Sequence, residues 1–221
     1  METFQGKQQE ALGHYTAAMV RKPTACDFTQ LTGLYFQGID QAVADRLLDA
    51  SVNYDRTSPS CYQRYATYLM SRNQRDRALA ALEQAMALEA NRMTDYAAIA
   101  GIMKLSHDEF LRILPKRVGP YLGYASLLEK RGDVEAAEVI YRKALDLIDQ
   151  EPVPFARYYQ GLYTLLMKQK RYDEALELLN RAVKQIPADQ GLHLKLANLY
   201  RLLGITYRAQ EEEALARTLK R

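Results

Sequence analysis

An alanine recurs along this chain at a nearly constant interval, and that interval restricts the fold more than any other feature. Ala18, Ala50, Ala85, Ala144, Ala182 and Ala216 are separated by 32, 35, 59, 38 and 34 residues. Each lies near the end of a stretch whose apolar residues recur at offsets of three and four, which places them on one helical face. A second stretch of the same kind precedes it. In "YYQGLYTLLMKQKRYDEALELLNRAV", Tyr159, Leu162, Tyr163 and Leu166 share one face, and Ala175, Leu176, Leu179, Ala182 and Val183 share the next. Only a few residues separate the two, so they form an antiparallel helix pair. A small residue at each alanine lets the helices approach, while the larger residues fill the space toward the next pair. One such pair cannot bury its apolar face alone, so successive pairs must stack.

The pattern divides the whole chain, 1–221, as a single array. Residues 1–23 read as half a repeat with Ala11, Tyr15 and Ala18, closed by Pro23. Residues 26–55 are a divergent repeat with Gly33, Phe36, Val43, Leu47 and Ala50. Residues 59–92 carry Tyr62, Tyr65, Ala66 and Leu69, then Ala78, Leu82 and Ala85. Residues 118–155 carry Tyr121, Tyr124, Ala125 and Leu128, then Ala137, Tyr141 and Ala144. Residues 156–189 are the pair quoted above, closed by Pro187. Residues 190–221 carry Leu196, Ala197 and Tyr200, then Ala209 and Ala216, and read as a terminal repeat and cap. The step of 59 is one period plus a segment, residues 93–117, that reads as a short, degenerate repeat. Its "SHDE" is a capping-box signature for a helix start.

These residues carry a resemblance to the tetratricopeptide repeat (TPR) family, whose period is about 34 residues. The stretch "RYDEALELLNRAVKQIPAD" resembles the second helix of such a repeat, with the proline that the family places between repeats. The resemblance implies an all-α fold: an α-solenoid of antiparallel helix pairs, wound as a right-handed superhelix of about six repeats, one degenerate. It departs from the family pattern where Ala66, Ala125, Tyr163 and Ala197 replace the usual first-helix glycine. Tyr163 is bulky enough to open its helix pair locally.

Composition and motifs exclude several functions. The net charge of +3 is too small to argue for nucleic acid. No apolar run approaches the roughly 20 residues of a membrane span, and "METFQGKQQEALGHY" has no apolar signal-peptide core. This favours a soluble protein, cytoplasmic by default, or periplasmic if it is a fragment of an envelope protein. Cys26 and Cys61 lie about one repeat apart and read as reduced, because equivalent positions on packed helices sit about 8–10 Å apart and a disulfide needs Cα atoms within about 7 Å. His14, His107 and His193 are scattered over different repeats and read as surface or packing residues. No catalytic, phosphate-binding or metal-ligating motif is present, so no catalytic residue, metal or cofactor is expected.

What the resemblance implies is a non-catalytic protein-interaction scaffold. In the family, first helices line a concave groove that takes a peptide or helix of a partner. The residues left unused by packing are Gln63, Thr67 and Met70 in the 59–92 repeat, and Leu122, Ser126 and Glu129 in the 118–155 repeat. They are followed by Gln160, Thr164 and Met167, then by Leu194, Asn198 and Arg201. The Lys, Asn and Arg clamp that some TPR domains use for a chaperone carboxylate is not reproduced, since Gln63 with Thr67 and Gln160 with Thr164 stand there. Leu122, Met167 and Leu194 favour an apolar or amphipathic segment instead. A second surface at the turns carries Arg72, Arg75, Arg77, Lys130, Arg131, Lys168, Lys170 and Arg171, interleaved with acids that should pair with them. Glu213 stands where other second helices carry a packing residue, which marks the last helix as an end cap. The first helix lacks a preceding partner, leaving Leu12, Tyr15 or Met19 uncovered on one side. The alternative function is therefore an assembly module, either self-associating into a homo-oligomer through that end or forming the soluble tail of a larger bacterial envelope protein.

Overall fold

The computed structural model describes residues 2–22 and 25–219, and within the first helix the side chains of residues 2–8 and 11 are outside the description. Ala11 and Pro23, two of the repeat markers, therefore lie outside the described residues. Among the described residues there are thirteen α-helices and no strand. They are α1 (Glu2–Arg21), α2 (Cys26–Phe36), α3 (Gln41–Tyr54), α4 (Pro59–Ser71), α5 (Arg75–Leu88), α6 (Met93–Ile102) and α7 (His107–Ile113) in a first compact unit, Met1–Pro115. A second unit, Lys116–Arg221, holds α8 (Val118–Lys130), α9 (Val134–Asp146), α10 (Arg157–Lys168), α11 (Tyr172–Gln185), α12 (Gln190–Leu202) and α13 (Thr206–Thr218). A 3-10 turn, Ile148–Gln150, follows α9. Each unit is an all-α stack of helix pairs, as in a solenoid.

Helices α2 and α3, α4 and α5, α8 and α9, and α12 and α13 pack closely along their lengths. The pair α10 and α11, which contains Tyr163, makes fewer close approaches, consistent with a bulky side chain at the usual glycine position. The helices of 93–117 differ more: α6 and α7 barely touch, and α7 packs instead on α5. The bidentate ion pair of Arg75 with Glu109 fixes that docking, with Nε to Oε1 at 2.6 Å and Nη2 to Oε2 at 2.7 Å. Glu109 also completes the capping box read from "SHDE", its carboxylate accepting from the Ser106 backbone while Ser106 Oγ accepts from the Glu109 backbone.

The turn inside each helix pair is built alike. A residue in the left-handed region ends the first helix: Gly38, Asn73, Lys104, Gly132, Lys170 and Gly204. In five of the six turns the next N–H returns to the carbonyl five residues back, as in Gln74 to Leu69, Leu105 to Ala100, Asp133 to Leu128, Arg171 to Leu166 and Ile205 to Tyr200. This bond closes the free carbonyls of the last helical turn. Lys104 gives the 93–117 segment the same turn as its neighbours.

The periodic alanines line the core of the regular repeats. Ala85, Ala144, Ala182 and Ala216 are wholly buried, whereas Ala18 and Ala50 are half-buried in the less regular part of the first unit. Tyr65, Leu69, Tyr124, Leu128, Tyr159, Leu162, Leu166 and Leu196 fill the space between helices, all of them buried. Two glycines mark the closest approaches. A Cβ on Gly33 would lie 2.9 Å from Leu48 Cγ, and one on Gly161 would lie 2.3 Å from the Tyr141 ring.

The two cysteines differ from the sequence expectation. Cys26 and Cys61 are joined as a disulfide with their Cα atoms 6.3 Å apart. The expected spacing was that of helix axes. Both residues instead sit at the starts of α2 and α4, which pack directly on one another, and at such a convergence side chains meet more closely than the axes do.

Candidate functional site

The first helices of the second unit present one exposed stripe each. Leu122, Ser126 and Glu129 stand at offsets of four and three on α8, Gln160, Thr164 and Met167 on α10, and Leu194, Asn198 and Arg201 on α12. That spacing puts each trio on one helical face. Leu122, Ser126, Glu129, Thr164 and Met167 are half-buried, and Gln160, Leu194, Asn198 and Arg201 are exposed. Two hydrogen bonds join the stripes. Lys168 Nζ donates to Glu129 Oε1 at 2.8 Å, linking α10 to α8. Lys195 Nζ donates to Gln160 Oε1, linking α12 to α10. Within the stripes Gln160 Nε2 donates to Thr164 Oγ1 at 2.9 Å, and Arg201 donates to Asn198 Oδ1 at 2.9 Å.

Arg201 also pairs with Glu213 on α13, so the carboxylate read from sequence as an uncovered cap has a cationic partner within its own helix pair. Behind the stripe, the Tyr141 phenol donates to Glu129 Oε2 at 3.2 Å. Burial, with the Glu129 carboxylate adding to it, pushes that phenol up to about 12. Lys195 further lies 5.8 Å from the centre of the Tyr163 ring, close enough for a cation–π contact.

In the first unit, Gln63, Thr67 and Met70 sit on α4. Thr67 is exposed, and its hydroxyl donates to the Gln63 carbonyl at 3.0 Å. Gln63 and Met70 are half-buried, and the Gln63 amide nitrogen is buried with no acceptor in hydrogen-bonding geometry.

Of the basic edge read from sequence, Arg72, Arg75, Arg77, Lys168 and Arg171 are paired, and their partners come largely from neighbouring repeats. Arg77 donates to Asp49 Oδ1 at 3.0 Å and to the Tyr65 hydroxyl at 2.6 Å. Arg171 binds Glu138 at 2.6 Å and Glu174 at 2.6 Å, and Arg142 bridges the same two carboxylates. These arginines hold the Glu138 and Glu174 carboxyls below the usual range. Sequence reasoning placed no site on the second helices. There the structure has a cavity of about 360 Å³, lined by Arg142, Leu145, Leu162, Leu166, Leu178 and Arg181 among others. In the first unit a hollow of about 340 Å³ lies against α1, lined by His14, Ala17, Ala18, Arg21, Lys22 and Phe28. Leu12, Tyr15 and Met19 of α1 are half-buried, and Met19 Sδ accepts from Thr32 Oγ1 at 3.2 Å, so it turns toward α2.

His193 is buried, with Nδ1 2.6 Å from Glu212 Oε2 and Nε2 3.0 Å from the Pro187 carbonyl. It ties the start of α12 to α13 and to the preceding loop. Among the described residues no helix is long and apolar enough to cross a membrane.

A helix pair repeated at this period, with left-handed turns and a buried alanine closing α5, α9, α11 and α13, defines a helical-repeat fold. Family models described as tetratricopeptide repeat match residues 119–150 and 156–221. The chain thus carries tetratricopeptide repeats over these two stretches, both in its second unit. Solved structures similar to it include the Cut9–Hcn1 hetero-tetramer of the APC/C, at 16% identity and a TM-score of 0.43, covering 97% of this chain and 44% of that one. YrrB, described as a TPR protein with an unusual peptide-binding site, aligns at 17% identity and 0.44, covering 78% of this chain and 91% of that one. Yeast Tom70 aligns at 19% identity and 0.40, covering 91% and 43%. The chain thus spans less than half the length of the first and third of these. A search of the curated proteins found no match.

Proposed function

We propose that the face formed by α8, α10 and α12 receives a peptide or amphipathic helix of a protein partner. The observation that carries this reading is the pair of cross-repeat bonds, Lys168 to Glu129 and Lys195 to Gln160, which join three first helices into one polar surface with Leu122, Met167 and Leu194 set into it. Such a surface offers apolar anchors at intervals and amide or hydroxyl partners between them, the combination that an amphipathic segment needs. Peptides selected from a random display library on the whole chain test the idea, with hydrogen exchange mapping where they bind. Protection along α8, α10 and α12, lost in a Met167→Glu, Leu194→Glu variant, supports the reading. Protection confined to the second helices, around the Arg142–Arg181 cavity, overturns it.

Self-association through α1 is the second reading. The hollow beside His14, Ala17 and Phe28 favours it. Light scattering on the whole chain and on an Ala17→Glu variant tests it, and a concentration-independent monomer refutes it.

A further inference from the structure

We propose that Cys26 and Cys61 form a reversible dithiol–disulfide couple that clips α2 to α4, with Arg64 as the positioning residue that makes the clip exchangeable. The bond joins the first helices of two successive repeats across 35 residues. Both cysteines are buried. Cys26 is the first residue of α2 and Cys61 the third of α4. A sulfur in the first turn faces the positive end of the helix, where a thiolate is favoured.

Arg64 adds a guanidinium at the same place. Its Nη2 lies 3.6 Å from Cys61 Sγ and 4.0 Å from Cys26 Sγ. The guanidinium is held there on two sides. Nε donates to Gln30 Oε1 at 2.7 Å, and Nη2 pairs with Asp27. Gln30 is itself buried and fixed, its Nε2 donating to the Cys61 carbonyl at 2.8 Å and to Ser51 Oγ at 3.1 Å. Two carboxylates face the pair as well. Asp27 is neutralised by Arg64. Asp55 places an oxygen within 4.8 Å of the sulfurs, while its Oδ1 accepts from the Thr57 N–H and hydroxyl. The sulfurs are buried, whereas the Arg64 side chain beside them is 47% exposed.

The chemistry balances with a small dithiol or two monothiols of the glutathione class. An external thiolate attacks one sulfur and forms a mixed disulfide, and the other cysteine leaves as a thiolate beside Arg64. A second external thiol attacks the mixed disulfide and releases the external disulfide and the second cysteine. Two electrons pass to the cysteines, and two protons end on them or in solvent. A leaving thiolate that is stabilised departs faster, and stabilising the reduced state moves the couple toward the labile, exchangeable class of disulfides. The Gln30 and Asp27 bonds to Arg64 and to the Cys61 carbonyl do not pass through the sulfurs. Reduction therefore loosens the junction between two repeats without removing its polar frame.

The test equilibrates the whole chain with mixtures of reduced and oxidised glutathione, followed by acid quench, alkylation and mass spectrometry. The wild type should cross from disulfide to dithiol within accessible ratios. Arg64→Gln should shift the midpoint about tenfold or more toward the disulfide, and should move the pH profile of thiol alkylation upward, with Arg64→Lys restoring part of both. Circular dichroism confirms that each variant is folded, and Cys26→Ser should give only mixed disulfide at Cys61. A pair that stays oxidised at every ratio is a structural crosslink and overturns the proposal. So does a pair that stays reduced in excess oxidised glutathione, or an Arg64→Gln variant whose midpoint and pH profile match the wild type. Uptake of one zinc ion per reduced chain that blocks alkylation would assign the cluster to metal binding and overturn it too.

Discussion

Gly161→Ala is the substitution for which the structure gives the clearest arithmetic. Gly161 lies inside α10, where replacing glycine by alanine favours the helix by about 1 kcal/mol. Against that stands a collision, since the new methyl would sit 2.3 Å from one ring carbon of Tyr141 and 2.6 Å from another. Tyr141 cannot swing aside freely, because it is buried and its phenol is held by Glu129. Overpacking of this kind costs about 1–3 kcal/mol, so the net effect should be a loss of up to about 2 kcal/mol. Gly119, on α8 of the same unit, has nothing within 4 Å of its Cβ direction. Gly119→Ala should therefore stabilise, by about 0.5–1 kcal/mol. Urea unfolding followed by circular dichroism measures both. In a Tyr141→Leu background the collision disappears and Gly161→Ala should become neutral or stabilising, a coupling of about 1–3 kcal/mol. If Gly161→Ala matches Gly119→Ala in sign and size in the wild-type background, the packing of α9 on α10 described above is wrong.

Four further outcomes are expected. Lys170 holds a φ of +60° that favours glycine, so Lys170→Gly should raise stability by about 1 kcal/mol, read as a higher urea midpoint. Burial lowers the affinity of His193 for its proton, but hydrogen bonds to Glu212 and to the Pro187 carbonyl, with the charges of Glu212 and Asp189, outweigh it and raise the folded value. A raised value means stability that is complete below the unfolded pKa, about 6.5, and lost as pH rises through the folded one. Thermal melts from pH 6 to 8 should thus decline in the wild type relative to His193→Gln. Glu109 shows the opposite sign: Arg75, then the Ser106 cap, hold its carboxyl at about 2. Its contribution is present above pH 4 and should disappear between about pH 4 and 2, a loss that Glu109→Gln should not show. Replacing Gln160, Thr164 and Asn198 together with Ala should change stability by about 1 kcal/mol or less, because Gln160 and Asn198 are exposed and Thr164 is only half-buried. A larger loss in thermal unfolding would mean that they pack.

The architecture was legible where its physics is local. The apolar faces and the capping box at Ser106 depend on residues three or four apart, the alanine period only on the same local unit recurring, and each is in the structure. Gly132 and Gly204 advertise their turns by type. Asn73, Lys104 and Lys170 make the same turn without glycine, so only the backbone reveals it. The cysteine pair was misread because helix-axis spacing says nothing about residues at converging helix starts. His193 was hidden for a related reason: its partners, Pro187 and Glu212, stand 6 and 19 residues away, and only the α12–α13 packing makes them neighbours.

The polar bonds between repeats form the part of the molecule that sequence periodicity foreshadows without specifying. Arg75 to Glu109, Arg64 to Gln30, Arg171 to Glu138, Lys195 to Gln160 and Gln185 to Asp149 join residues 33 to 36 apart in sequence. One repeat thus writes on the next at about the period itself. Which side chain answers which depends on the offset between stacked pairs, and a list of residue types does not contain that offset. The energies explain why such bonds suit a binding face. An exposed ion pair contributes about 0–1 kcal/mol, so under the proposed function Lys168 would release Glu129 to an incoming peptide at little expense to folding, as Lys195 would release the neutral Gln160 amide. The layer beneath, with Tyr141, Tyr159, Ala144, Ala182 and Ala216, is buried and would stay in place during such an exchange. A surface whose polar groups are already oriented, yet weakly committed to one another, would suit the partner proposed for it without being held together by one.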